Sequence, residues 1–166
     1  MATKTMQDLL LEELRDIYDA EKQALKAYNK LIKAVSHDKL KQAFQTHKEQ
    51  TEGQIERLKQ AFELLDQRPR GKHCDAMEGL IQEAQSLLDE GLPSELLDVA
   101  IIAAAQKMEH YEIAAYGSVH AYAQGLGNEE LASLLEETLN EEKETDKLLN
   151  DIAVKDVNRR AMQQAA

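Results

Sequence analysis

Apolar residues return at intervals of three and four in four long stretches, the spacing that gives a helix one continuous apolar face. The first predicted helix covers 6–35, with Leu10, Leu14, Ile17, Ala24, Tyr28, Leu31 and Val35 on one side. Thr5 is its N-cap, three residues before Asp8. Ser36-His37-Asp38 interrupts the pattern, and a second helix covers 38–65 with Leu40, Phe44, His47, Thr51, Leu58, Phe62 and Leu65 in its stripe, which is polar in the middle. The stretch DQRPRGKHCD is a basic, Pro- and Gly-punctuated connection, followed by a short amphipathic helix over 76–88 that ends at Gly91-Leu92-Pro93. The next helix, 94–123, stacks Leu97, Ile101, Ala105, Met108, Ala115 and Val119 and is nearly apolar over its first half, which marks it as the most buried. Gly125-Leu126-Gly127-Asn128 closes it. The last helix covers 129–157, with Leu131, Leu135, Leu149 and Ile152 inward, and the tail RRAMQQAA is expected to fray.

Two helical hairpins joined by a long connection that carries its own helix have the connectivity of a ferritin-like four-helix bundle. The expectation is therefore an all-α fold, one domain over 1–166, with a short helix in the crossover. An up-down-up-down bundle with three short loops and one disordered insert is the competing layout.

Composition narrows the function. The chain has 166 residues, only two Pro and seven Gly, and is long enough to bury a core without disulfides or metal staples. Its 31 acidic and 20 basic side chains give a net charge of −11, a field that repels nucleic-acid phosphates and anionic membrane surfaces, so neither is an expected partner. Cys74 is the single cysteine, which excludes an intrachain disulfide and a Cys-rich zinc site. The segment MATKTMQDLLLEEL is too short in its apolar part and too acidic for a signal peptide, and no run is long enough to span a bilayer, so a cytoplasmic location is expected. The crossover helix carries Met77, Leu80, Ile81, Ala84, Leu87 and Leu88, more apolar surface than one contact with a bundle covers, and a homodimer is the expected assembly.

The candidate chemistry lies where polar residues fall inside the apolar stripes. Glu21 is central on the first helix; on 94–123 Glu112 is central with Glu109 one turn earlier; on the last helix Glu142 is central with Asp146 flanking. Neither Lys nor Arg occupies an inner-stripe position. Glu21, Glu112 and Glu142 each lie about fourteen to sixteen residues from a turn, or roughly 22 Å from a bundle end at 1.5 Å per residue, so three helices present carboxylates at one depth. Converging carboxylates require shared protons or divalent cations, and an oxygen-rich donor set suits iron or manganese. His47 faces the core one turn from this depth, where a core histidine and a ligand are equally consistent with its position. His110 falls on the outer face, and His37 and His73 lie in connections, all three reading as surface. Tyr18, Tyr28 and Tyr116 flank the stripes as core residues whose hydroxyls need partners.

The stretches YDAEKQ, HKEQTEGQIERL, GKHCDAMEGLI, IIAAAQKMEHYEIAAYG and LEETLNEEKETDKLL together resemble the YciE/YciF family of bacterial ferritin-like proteins over essentially the whole chain. The resemblance implies a ferritin-like fold, a dinuclear metal site between the helices and an association with bacterial stress responses, with no firmly assigned reaction. One departure stands out: where the family has His-x-x-Glu-Thr, this chain has His47 and Gln50-Thr51, with Glu49 on the outer face and Glu52 at the edge. The resulting expectation is a metal set of Glu21, His47, Glu109, Glu112, Glu142 and Asp146 holding two divalent ions, Fe or Mn, that handle peroxide or O₂ or oxidise Fe²⁺. An iron-binding bundle without turnover and a non-catalytic stress protein are the alternatives.

Overall fold

The computed structural model describes residues 3–164. Its helices are α1 (Met6–Ala34), α2 (Asp38–Leu64), α3 (Asp75–Asp89), α4 (Ser94–Gly125), α5 (Glu129–Ile152) and, after a π-helical turn at Ala153–Val157, α6 (Asn158–Gln164). The expected capping box opens α1: the Asp8 amide donates to Thr5 Oγ1 while the Asp8 carboxylate accepts from the Thr5 amide. Asn128 caps α5 by a single bond, its side chain accepting from the Leu131 amide.

Cross-helix pairs reveal the direction of each helix. Tyr28 meets Glu109 while Glu21 meets Tyr116, so α1 and α4 are antiparallel. Arg57 meets Glu137 while His47 meets Thr145, so α2 and α5 are antiparallel too. The bundle is a ring in which α1 packs on α2 and α4, and α5 on α2 and α4. Helices α2 and α4 are both antiparallel to α1, hence parallel to each other. The chain between them must travel back along the bundle, which three short loops cannot do. Residues 65–74 and α3 make that crossover, pinned to α1 by Lys72 N donating to Arg15 O and Cys74 N to Asp19 Oδ2. This is the ferritin-like connectivity.

The apolar core is split in two. One cluster, around Tyr28, Phe44, Met77, Ile101 and Met108, lies toward the α1–α2 turn; the other, around Leu14, Tyr18, Phe62, Tyr116 and Leu135, lies toward the α4–α5 turn. The apolar side of α3 packs on the first cluster, with Met77 and Ala84 buried and Leu80, Ile81, Leu87 and Leu88 partly so. No helix among the described residues is long and apolar enough to cross a membrane.

Two expectations are corrected at the α1–α2 turn. His37 is buried, 6% exposed, because the turn is drawn against α4: buried Asp98 accepts hydrogen bonds from the amides of Ser36 and His37 and from the Ser36 hydroxyl. The tail also stays helical through Gln164 instead of fraying, while Ala165 and Ala166 lie outside the described residues. Asp156 ties it down, pairing with His37 Nε2 at 3.1 Å and with Arg160 Nε at 2.8 Å, and Val157 enters the core. Asp98→Ala, which leaves two backbone amides unpaired in this turn, is expected to lower stability by about 2–4 kcal/mol, read as an earlier urea midpoint. A midpoint equal to wild type would show that water replaces the carboxylate.

Candidate metal centre

Between the two apolar clusters lies a layer of buried polar side chains. Helix α4 supplies Glu109 and Glu112, one turn apart on the inward face; α5 supplies Glu142; α2 supplies His47; α1 supplies Glu21. All five are at most 1% exposed. One donor atom from each of His47, Glu109, Glu112 and Glu142 falls within 4.8 Å of the other three. His47 Nε2 is 3.1 Å from Glu109 Oε1 and 3.5 Å from Glu142 Oε2.

Helices α1 and α4 are related here by a reciprocal pair of hydrogen bonds. Glu21 and Tyr28 are seven residues apart on α1, and Glu109 and Tyr116 are seven apart on α4. Because the helices are antiparallel, each tyrosine reaches the other helix's glutamate: Tyr28 donates to Glu109 Oε1 and Tyr116 to Glu21 Oε1, both at 2.5 Å. Two helical turns separate the members of each pair, so both sit on one face. The tyrosines do pack in the core as expected, but their hydroxyl partners are the site carboxylates. Burial raises both phenols well above the ordinary range, with nearby carboxylates adding to it, so they stay protonated donors.

His47 is oriented from behind. Its Nδ1 lies 3.1 Å from Gln50 Oε1 and 3.0 Å from Thr145 Oγ1, and Gln50 Oε1 also accepts from Thr145 at 3.4 Å. A proton on Nδ1 satisfies the amide oxygen and leaves the Nε2 lone pair facing the carboxylates in the neutral ring. Gln50, the departure noted on α2, therefore backs the histidine and does not face the cluster. Glu49 and Glu52 are exposed, as their positions on the helix indicate.

Of the six residues expected from the sequence, the structure converges four within that radius. Glu21 lies alongside, buried and held by Tyr116, with its charge felt by both His47 and Glu112. Asp146 is turned elsewhere: its Oδ1 is 3.1 Å from exposed His110 and 3.1 Å from the Gln106 amide nitrogen, on the outer side of α4 and α5. Three participants escaped the sequence reading. Gln54 on α2 is fully buried and donates to Glu141, and Arg57 reaches inward to pair with Glu141 and Glu137 although no cation was expected in the stripes. Tyr111 on α4 links α1 to the crossover, donating to Asp16 and lying 3.1 Å from Cys74 Sγ. The even run of long polar side chains along the middle of α2 was the available signal for Gln54 and Arg57.

The electrostatics divide the glutamates. Burial raises Glu21 to about 7. Burial, reinforced by neighbouring carboxylates, raises Glu112 and Glu142 well above the ordinary carboxylate range. Burial also opposes ionisation of Glu109, but the adjacent His47 and Tyr28 outweigh it and its pKa falls. The same contact raises His47 against its own burial. Without metal, the layer thus favours a Glu109–imidazolium pair beside acids pushed toward protonation.

The donor set fits a divalent cation. Glu21 Oε2, Glu109 Oε2, both oxygens of Glu112 and both of Glu142 are buried with no N–H, hydroxyl or phenol donor bonded to them among the described residues, and Glu142 has only shared protons with which to meet Glu109 and Glu112. Such atoms are costly to bury and suit a hard or borderline metal with oxygen and imidazole ligands. The metal-free folded state holds protons on Glu21, Glu112, Glu142 and His47 that the unfolded chain releases above its ordinary pKa values. Its stability should therefore fall as pH rises from about 5 to 8. Glu109 acts oppositely, but only below about pH 4.5. Melting curves of metal-free protein across this range test the slope. A Glu112→Gln/Glu142→Gln variant, which keeps the surface charge, should have a visibly flatter slope, and equal slopes would place the dependence elsewhere.

The residues 5–162 match the family described as Domain of unknown function (DUF892). Protein YciF of Escherichia coli (strain K12) is 47% identical over 166 residues, covering 99% of this chain and 100% of that protein. Among solved structures, the E. coli stress protein YciF aligns with a TM-score of 0.90 at 48% identity, covering 94% of this chain and 99% of that one. YcfI of Rhodopseudomonas palustris aligns with a TM-score of 0.87 at 47% identity, covering 89% and 94%. A protein of Xanthomonas campestris, 23% identical over 98% of this chain and 100% of its own, shares the fold with a TM-score of 0.76. The chain belongs to the DUF892 family, among the YciF-like helical bundles.

Proposed function

We propose that this chain is a carboxylate-rich dinuclear metal protein of the bacterial stress response, binding Fe or Mn and handling peroxide or O₂ or oxidising Fe²⁺. The observation that carries the reading is the buried convergence of His47, Glu109, Glu112 and Glu142, with six carboxylate oxygens lacking an N–H, hydroxyl or phenol donor once Glu21 is included. Four glutamates carry four negative charges when ionised, which two divalent ions neutralise; one ion would leave charge stranded in an apolar core. The stress association comes from the E. coli relative, a stress protein. When bound, paired redox metals supply Lewis acidity, electron exchange and open positions for a small oxidant. The protein's part is to exclude bulk water, to hold Nε2 of His47 toward the ions through Gln50, and to keep protons on the Tyr28 and Tyr116 hydroxyls beside the ligands.

A second reading is favoured by the packing of the carboxyls against one another. Burial and like charge push Glu112 and Glu142 toward the protonated form without metal, which would let the bundle stand as a metal-free, non-catalytic stress protein. The two readings separate by elemental analysis of protein purified without a metal-chelating column. The dinuclear reading expects close to two ions per chain in wild type, and loss of metal in Glu112→Gln and Glu142→Gln. Metal-free stability in these variants should equal or exceed that of wild type, because an amide keeps the shape and removes a carboxyl that must take up a proton to be buried. Metal-free wild type, with no stabilisation on adding Fe²⁺ or Mn²⁺, would favour the second reading.

Gln50 gives a finer test. Gln50→Leu removes the acceptor behind His47 and should weaken metal affinity by about tenfold or more, as loss of outer partners of a metal-bound histidine does. Glu49→Gln and Glu52→Gln, at exposed positions, should leave it unchanged. Calorimetric titration with Mn²⁺ compares the three, and equal affinity in Gln50→Leu would show that Thr145 Oγ1 orients His47 without Gln50.

A further inference from the structure

The centre is closed to solvent, and a cation must cross a helix interface to reach it. Three of the four interfaces in the ring offer little help. The α1–α4 contact is closed by the reciprocal Tyr–Glu bonds; apolar residues of the two clusters lie on either side of the site, and the polar contact across α4–α5, Asp146 with His110 and Gln106, has no cavity in front of it among those described and no unpartnered oxygen behind it. The α2–α5 seam differs. On α2 it presents Gln54 and Arg57, and on α5 Thr138, Glu141 and Thr145, in register beside Glu142 and His47.

This seam grades from solvent to core. At its outer end, toward the α4–α5 turn, is a cavity of 610 Å³ lined in part by Glu63, Glu130 and Glu137, with no Lys or Arg among its lining residues. Glu137 is 60% exposed and pairs with Arg57 Nη2 at 2.9 Å. Arg57, 18% exposed, is the next layer inward, holding Glu141 by two bonds of 2.8 and 2.6 Å and donating also to Thr138. Glu141 is 20% exposed and, despite some burial, these bonds hold its carboxyl below the ordinary range. Behind it Gln54 is fully buried; its amide nitrogen donates to Glu141 at 2.9 Å and its Oε1 has no partner. Glu141 is adjacent in sequence to Glu142 and close enough that its charge affects both Glu21 and His47.

Resting on the metal-centre reading above, we propose that the α2–α5 seam is the access route by which divalent cations reach the buried site, with Glu63, Glu130 and Glu137 as the collecting vestibule and Arg57 as the gate on Glu141. Carboxylates around a concave surface concentrate cations and speed their capture, an effect that salt suppresses. Past the vestibule, a cation meets the Arg57 guanidinium, which occupies Glu141 and repels positive charge. When Arg57 swings out on its long side chain, Glu141 and the unpartnered Gln54 Oε1 offer oxygen ligands one step from Glu142. An ion pair serving only to join α2 to α5 requires neither an acidic vestibule in front of it nor an orphaned carbonyl behind it.

The test uses the intact protein and Co²⁺, followed by stopped-flow tyrosine fluorescence. The chain has five Tyr and no Trp, and Tyr28 and Tyr116 are bonded to site carboxylates, so a paramagnetic ion in the centre quenches them. Arg57→Gln is expected to speed uptake by about tenfold, a barrier change near 1.4 kcal/mol, with unchanged final amplitude. Glu63→Gln/Glu130→Gln, at exposed positions that do not touch Arg57, should slow uptake by about threefold at low salt and match wild type in about 0.5 M NaCl. Glu83→Gln/Glu90→Gln, on α3 and at its end, makes the same charge change elsewhere and should leave the rate alone. Wild-type rates in folded Arg57→Gln, or in the vestibule variant whether or not Arg57→Gln folds, overturn the route while leaving the centre standing. Equal slowing in the α3 variant also overturns it, since the overall charge would then suffice. Absence of quenching in wild type at millimolar Co²⁺ overturns the centre itself, and the route with it.

Discussion

Four glutamates buried in the middle of a helical bundle set the terms for everything around them. Moving a carboxylate out of water carries a penalty of several kcal/mol unless it is protonated, paired or bound to a cation. In this chain all three remedies are in evidence or prepared. Glu109 is paired with His47 and Tyr28, Glu112 and Glu142 are pushed toward protonation, and Glu21 leans on Tyr116. The oxygens still without such a donor are those a metal would take. The two apolar clusters above and below clamp the layer and keep water from relieving the strain.

The crossover topology is what makes that layer assemble. A parallel α1–α4 pair would bring Glu21 against Glu109 and Tyr28 against Tyr116, setting acid against acid. The antiparallel arrangement pairs each acid with a phenol across the interface. It follows from the chain's return along the bundle, which the Lys72–Arg15 and Cys74–Asp19 bonds hold against α1. The same geometry separates two otherwise similar acids: Glu109 has the imidazole at 3.1 Å and ionises readily, while Glu21, with only the phenol bonded to it, is raised to about 7.

The bundle's weak polarity gradient runs through α2. Its partner helices bury long apolar faces, whereas α2 places Gln54 and Arg57 in the α2–α5 interface. An apolar seam there would pack more tightly and shield the acids from water more fully. The half-buried Arg57–Glu141 pair gives up some of that packing for a contact that can open, because a guanidinium on a flexible stem leaves far more easily than a leucine leaves a core.

What the sequence determined is the part that depends on periodicity. A face of apolar residues can be counted at 100° per residue, and a glutamate inside it is visible without a structure; depth along the helix follows from the rise, so Glu21, Glu112 and Glu142 emerged together. Periodicity places a Cα, not the end of a side chain. His47, one turn off the expected depth, still delivers Nε2 to Glu109 and Glu142, and Arg57, off the inner stripe, bends its long stem inward to Glu141. Asp146 sits at the edge of its stripe, where a small rotation of α5 chooses between the core and His110, and it pairs with His110. His37, in a three-residue connection, is buried only because Asp98 of a distant helix draws that turn inward. These were decided by tertiary structure for one reason: which partner lies across an interface depends on the register of two helices, and that register is set by the packing of the whole bundle, not by the spacing within either chain segment.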